Sequence, residues 1–276
     1  MYLPPQFNTQ DRVLAARVVR ENPLASLISV NEDGLPFVSH VPLHLVEQEG
    51  QWQLLGHVAK PNPHGRYLLA RPRALVTFLG PHAYMSPQVY PDLARVPTWN
   101  YIAVHCEVEA QLIDATQDKD RVLKALIGDH EPAYAAQWRG LGEEYQHKML
   151  AGIVAFSLSV TRVECKIKLN QHRPESHAAM RSMYEAGSPA ERDLARWMRD
   201  AFGIWSADSV GGGGGGRVAC QEAAQRGQRH QASYASGFGR PTAISANWKY
   251  SAAKPAGPTA VQGSHRGSFA ATARRA

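Results

Sequence analysis

The stretch GHVAKPNPHGRYL, residues 56–68, gathers His57, Lys60 and Asn62 where extended chain gives way to a short helix opening near Asn62. A helix start offers unpaired N–H donors at the positive end of its dipole, and an adjacent ammonium adds charge, so the grouping suits an anion. The loop lacks the glycine pattern of a phosphate loop, which keeps a capped loop with Lys60 in solvent as the competing reading. Four other stretches carry the same kinds of group. They are Ser39-His40-Val41-Pro42, PHAYMSP (81–87, with Ser86), VPTWNY (96–101, with Trp99 and Asn100) and KIKLNQHRP (166–174, with Lys168, Gln171 and Arg173). All are placed at strand ends or in connections, where binding groups concentrate. Hydroxyls, amides, cations and aromatic surface together suit a planar, hydrogen-bonding, phosphorylated ligand. His40 and His44 share a strand face without a third ligand, so no metal site is expected. No local Ser-His-Asp or Cys-His grouping argues nucleophilic catalysis, and no catalytic residue is assigned.

The elements that must position these groups are legible in residues 1–205. Asp11 to Glu21 reads as a helix ended by Asn22-Pro23. Ala25 to Asn31 is a strand, Glu32-Asp33-Gly34 a hairpin turn, and Pro36 to Val46 the partner strand. In that partner Phe37, Ser39, Val41, Leu43 and Leu45 share one face, and His40, Pro42 and His44 take the other. Further strands are expected up to His57, over Arg73–Leu79, over Ile102–Ile113 with alternate residues inward, and over Gly152–Val163. Helices are expected from Thr116, over Glu175–Glu185 and over Pro189–Phe202. Hairpins with short turns and later helices argue for an antiparallel barrel, and no Gly-x-Gly-x-x-Gly follows a strand to suggest a dinucleotide fold.

From residue 206 the character changes. Six glycines (211–216) lead into Ala/Gly/Ser/Gln/Arg sequence without periodicity, which reads as a disordered tail over 206–276 and as a possible frame change in the coding sequence. The tail carries nine Lys and Arg against two acids, leaving 21 basic and 22 acidic residues in 1–205. The formal charge of +6 therefore belongs to the tail, and the body gives no electrostatic argument for DNA. No apolar run approaches the roughly 20 residues that span a bilayer, and the first residues do not read as a signal segment. Three scattered cysteines, Cys106, Cys165 and Cys220, fit a reducing cytoplasm better than a disulfide framework.

Five strings occur in order along residues 1–175: MYLPPQF at the start, GHVAKPNPH, ALVTFLGPHAYMSPQVYP, VPTWNY and KIKLNQHRPE. With these the chain closely resembles the PaiB family of FMN-binding negative transcriptional regulators. The resemblance implies an α+β fold, an antiparallel split β-barrel with peripheral helices over residues 1–205, binding FMN as a homodimer with the flavin near the subunit interface. It places phosphate and ribityl contacts on matching strand-end positions. It thereby favours His57, Lys60 and Asn62 as the anion site, with Ser39, His40, Ser86, Trp99, Asn100, Lys168, Gln171 and Arg173 as further cofactor-binding candidates. The chain departs from the pattern where Gln88-Val89 precedes Tyr90-Pro91, and where the glycine-rich tail stands in for the usual ending. Two functions follow as expectations: a flavin-binding transcriptional repressor, or an FMN-dependent oxidoreductase using a reduced nicotinamide donor. The body shows no helix-turn-helix signature, so repression through a partner fits these residues as well as direct DNA contact.

Overall fold

The computed structural model describes residues 1–92 and 94–202. Eight strands are present among them: β1 (Asn8–Thr9), β2 (Leu24–Val30), β3 (Pro36–Pro42), β4 (His44–Gln48), β5 (Gln51–Ala59), β6 (Arg73–Met85), β7 (Thr98–Ile113) and β8 (Ile153–Lys168). The helices are α1 (Arg12–Glu21), α2 (His64–Ala70), α3 (Thr116–His130), α4 (Tyr134–Gly140), α5 (Glu143–Ala151), α6 (His177–Glu185) and α7 (Pro189–Phe202). Every strand pair is antiparallel, in the order β3-β2-β6-β7-β8-β5-β4, with β1 added on β8.

The two outermost strands of that order, β3 and β4, are consecutive in the chain with Leu43 alone between them. The sheet is therefore curled until its edges meet through a covalent corner, which makes it an antiparallel split β-barrel. Pro42 has no N–H to give the ladder, and the Leu43 N–H turns away to the Pro23 carbonyl at 3.0 Å. Residues 36–46 thus form two strands rather than the single one expected. Gly56 on β5 lets the corner close: a Cβ there would lie 2.5 Å from Leu43 Cδ2 and 3.1 Å from Phe156 Cε2.

Alternation puts Ala25, Leu27, Val76, Phe78, Val104, Cys106, Phe156 and Leu158 inside, in one core that also takes Val18, Val19, Met180 and Trp197 from α1, α6 and α7. On the other side of β5, Leu55 is covered by Val122 and Leu126 of α3. Helix α1 begins where Asp11 Oδ1 accepts the Leu14 N–H at 3.0 Å and ends where Asn22 Nδ2 bonds the Val18 carbonyl at 2.9 Å. The β2–β3 turn uses Gly34 at φ +82°, and Asn31 Oδ1 accepts the Leu35 N–H at 2.8 Å.

The strands β6, β7 and β8 run longer than the sequence suggests, and α4 and α5 are additions. The latter are pinned by the Trp138 indole on Asp120 at 2.9 Å and by the Gln146 amide on two carbonyls. Helix α2 starts at His64 behind Pro63, not at Asn62. The expected tail over 206–276, with Cys220 and the glycine run, lies outside the described residues. Among the described residues no helix is long and apolar enough to cross a membrane.

Candidate functional site

Helix α2 carries the chain from β5 to β6 at one end of the barrel. It sits close on β8 because residue 65 is glycine, whose Cβ would meet Val154 Cγ1 at 3.0 Å. The loop before it is tied down at Lys60, whose backbone N–H donates to the Gly152 carbonyl at 2.8 Å. Asn62 acts just ahead of the helix. Its Oδ1 accepts the His64 N–H at 2.9 Å and its Nδ2 donates to Ser39 Oγ on β3 at 3.1 Å. Ser39 Oγ in turn lies 2.9 Å from His64 Nδ1. Two separate chain segments, β3 and the loop into α2, are thus locked by one hydrogen-bonded group.

His64 is fully buried, edge-on to Phe37 with ring centroids 5.2 Å apart. Burial pushes its pKa down to about 4, so the ring is neutral at neutral pH. Ser39 Oγ accepts from Asn62 and keeps both a proton and a second lone pair, so either tautomer of His64 satisfies the contact at Nδ1. The His64 Nε2 is buried and has no partner among the described residues.

Next to this group lies a cleft of about 340 Å³ lined by Lys60, Asn62, Arg66, Leu69, Leu112 and Val154 among others. Lys60 is exposed, and no ion pair or side-chain hydrogen bond engages its ammonium among the described residues. Arg66 reaches the cleft while pairing with Glu32 at 3.0 Å. Two cations, an amide and an apolar wall fit the phosphate and ribityl chain of a flavin mononucleotide.

The other expected site residues divide. His57 shares its β5 face with Leu55, the face that α3 covers, and so points away from the barrel interior. Burial lowers its pKa, and its Nδ1 is buried without a partner among the described residues. His40 is exposed on the outer face and bonded to Ser26 Oγ at 3.1 Å. At the opposite end of β6, β7 and β8 stands a second cluster. Trp99 is 51% exposed, with the His82 and Tyr84 rings 6.0 and 6.3 Å away. Lys166 and Lys168 share the Tyr101 ring at 5.2 and 6.0 Å, and Lys168 also donates to Thr98 Oγ1 at 2.5 Å. Burial lowers the pKa of Lys168; Tyr101 opposes the shift and Lys166 adds to it.

Around that cluster several candidates serve the fold. Ser86 caps a short 3-10 turn by accepting the Gln88 N–H at 3.2 Å. Asn100 is buried in the core, donating to the Tyr184 hydroxyl at 3.0 Å. Gln171 ties the Ile167 and Gln6 carbonyls, and Arg173 pairs with Glu175 at 3.8 Å. The sequence reading misses His64, Arg66 and Tyr101 as site residues, while it weighs Lys166 with Lys168 and Arg173 as a cation that could reach phosphate or a partner subunit. All of these sit inside or beside the quoted strings, but nothing in the sequence marks their burial or partners.

The family model described as "Putative FMN-binding domain" matches residues 1–162. A similar relative is "Protease synthase and sporulation protein PAI 2" of Bacillus subtilis (strain 168), 29% identical over 204 residues, covering 72% of this chain and 97% of the relative. An uncharacterized protein of Saccharomyces cerevisiae is 28% identical over 148 residues, covering 46% of this chain and 86% of its own. Among solved structures, a flavocytochrome from Azotobacter vinelandii is 18% identical with a TM-score of 0.49, covering 59% of this chain and 70% of its own.

Proposed function

This chain belongs to the FMN-binding domain family, and on that premise we propose that it is a homodimeric flavin-dependent regulator that seats the FMN phosphate in the α2 cleft. FMN is its cofactor. The observation that carries the placement is the ammonium of Lys60, unengaged among the described residues, beside the preformed Ser39–Asn62–His64 group. Bound flavin supplies a redox-active ring system. The chain's own residues do the rest. Lys60 and Arg66 would neutralise and orient the phosphate, the Ser39–Asn62–His64 group would hold the loop that carries Lys60, and the apolar wall would exclude water from one side.

The distance between the two clusters supports the homodimer reading. The 16-residue β8 runs from the Lys60 end to the Trp99–Lys168 end, roughly 50 Å of extended strand. One protomer's two clusters therefore do not meet on a single flavin. A two-fold pairing that sets the α2 cleft of one protomer against the Trp99–Lys168 end of its partner gives each flavin a phosphate site and an aromatic, cationic surface.

The regulatory role is supported by the PAI 2 relative, whose name links it to protease synthesis and sporulation and whose length this chain nearly spans. Two assays of FMN-loaded protein separate it from oxidoreductase function. A promoter-fragment shift without steady oxidation of reduced nicotinamide is the expected result. Multiple turnovers of nicotinamide with a small acceptor, and no effect on promoter DNA or on transcription from it, would replace the regulator with an enzyme.

A further inference from the structure

We propose that Glu32, in the β2–β3 turn, is a built-in competitor for Arg66 that makes the cleft selective for a phosphate dianion. The proposal rests on the phosphate reading above and adds a specificity-determining residue outside the cleft lining.

Arg66 lines the cleft, yet its Nη2 is held by Glu32 Oε1 at 3.0 Å. Both side chains are well exposed, 68% and 60%, and exposed ion pairs of this kind contribute little net stability. Arg66 can therefore leave at small cost, while Glu32 stays where it is. The turn that carries Glu32 is fixed by other contacts: Arg71 Nη1 donates to the Asn31 carbonyl at 2.8 Å, and Asn31 Oδ1 holds the Leu35 N–H at 2.8 Å. The Glu32 carboxylate is itself well exposed, so water takes the place of Arg66 when it departs. No charge is stranded in a buried place by the exchange.

An incoming anion must outbid one carboxylate for Arg66. A terminal phosphate with two charges, already drawn by Lys60 and backed by the apolar Leu112 and Val154, does so. A phosphodiester or a carboxylate, with one charge, gains less from the same exchange. The chemical class selected is a phosphomonoester: FMN, with both charges on one phosphorus, rather than riboflavin or FAD, whose pyrophosphate spreads its two charges over two.

The test is a set of flavin fluorescence titrations of the full chain and its variants with FMN, FAD and riboflavin. Glu32→Gln is expected to tighten FMN about threefold and FAD by a larger factor, narrowing the preference between them, with riboflavin unchanged. Arg66→Gln should weaken FMN and abolish the effect of Glu32→Gln in the double variant. Unchanged or weaker FMN and FAD binding in Glu32→Gln, with a normal melting temperature, overturns the proposal. A Lys60→Ala control keeps the two readings apart. If that variant loses FMN affinity selectively while Glu32→Gln does nothing, the phosphate site stands and Glu32 has no part in it. If Lys60→Ala and Arg66→Gln both leave FMN binding unchanged, the phosphate site falls and the proposal with it.

Discussion

His64 shows how much chemistry a single buried side chain can commit the fold to. Its pKa of about 4 in the folded chain lies below the ordinary value of 6.5, so between these pH values the unfolded chain binds the extra proton. Its contribution to stability is complete above about pH 6.5 and is lost as the pH falls towards 4. Burial lowers His57 and His105 in the same direction, so acid sensitivity is shared among them. His64→Gln should flatten the decline in denaturation midpoint between pH 7 and pH 4.5 relative to the parent chain. An unchanged slope would mean that His64 is not the buried neutral group described. Cys106 and Cys165 are the opposite case: burial raises both thiols to about 12, and alkylation of the native chain should leave both unmodified, as peptide mass mapping would show. At this scale residue types were legible but orientation was not. Asn62, His64 and Ser39 meet because two of them lie in one string and a β-strand brings the third. Asn100, in an equally suggestive string, points into the core because the strand's period sends it there.

At the scale of elements, the corner at Leu43 and the glycine opposite it decide whether the barrel closes. Gly56→Ala drives a methyl into Leu43 Cδ2 and should cost about 1–3 kcal/mol of unfolding free energy, as overpacked cores do. The loss should be smaller when measured in a Leu43→Ala background, because that cycle removes the colliding atoms. Additive losses would place the strain elsewhere. The sequence conveyed β2, the inward set of β7, the Gly34 turn and the two C-terminal helices, since period and turn chemistry act over a few residues. It did not convey the break at Leu43, which depends on a carbonyl from residue 23, nor α4 and α5, whose short spans are held by the side chains of Asp120 and Gln146. The start of α2 shifted by a proline: Asn62 still receives the His64 N–H, but from outside the helix.

For the whole molecule, charge and flavin binding separate along the chain. Residues 206–276 hold nine cations and two acids, while residues 1–205 are close to neutral. A chain ending at Trp205 should keep its FMN affinity and lose most salt-sensitive affinity for random DNA. Tight, sequence-selective promoter binding by the shortened chain would reveal a recognition surface in the body instead. The central claim concerns the cleft itself, and a paired titration of the parent and Lys60→Ala with FMN and riboflavin tests it most directly. A charge-assisted phosphate contact is worth roughly 1.5–3 kcal/mol, so FMN binding should weaken about 10- to 100-fold while riboflavin, which lacks the phosphate, changes little. Equal loss of both ligands, or no loss of FMN, would contradict a phosphate seat at Lys60.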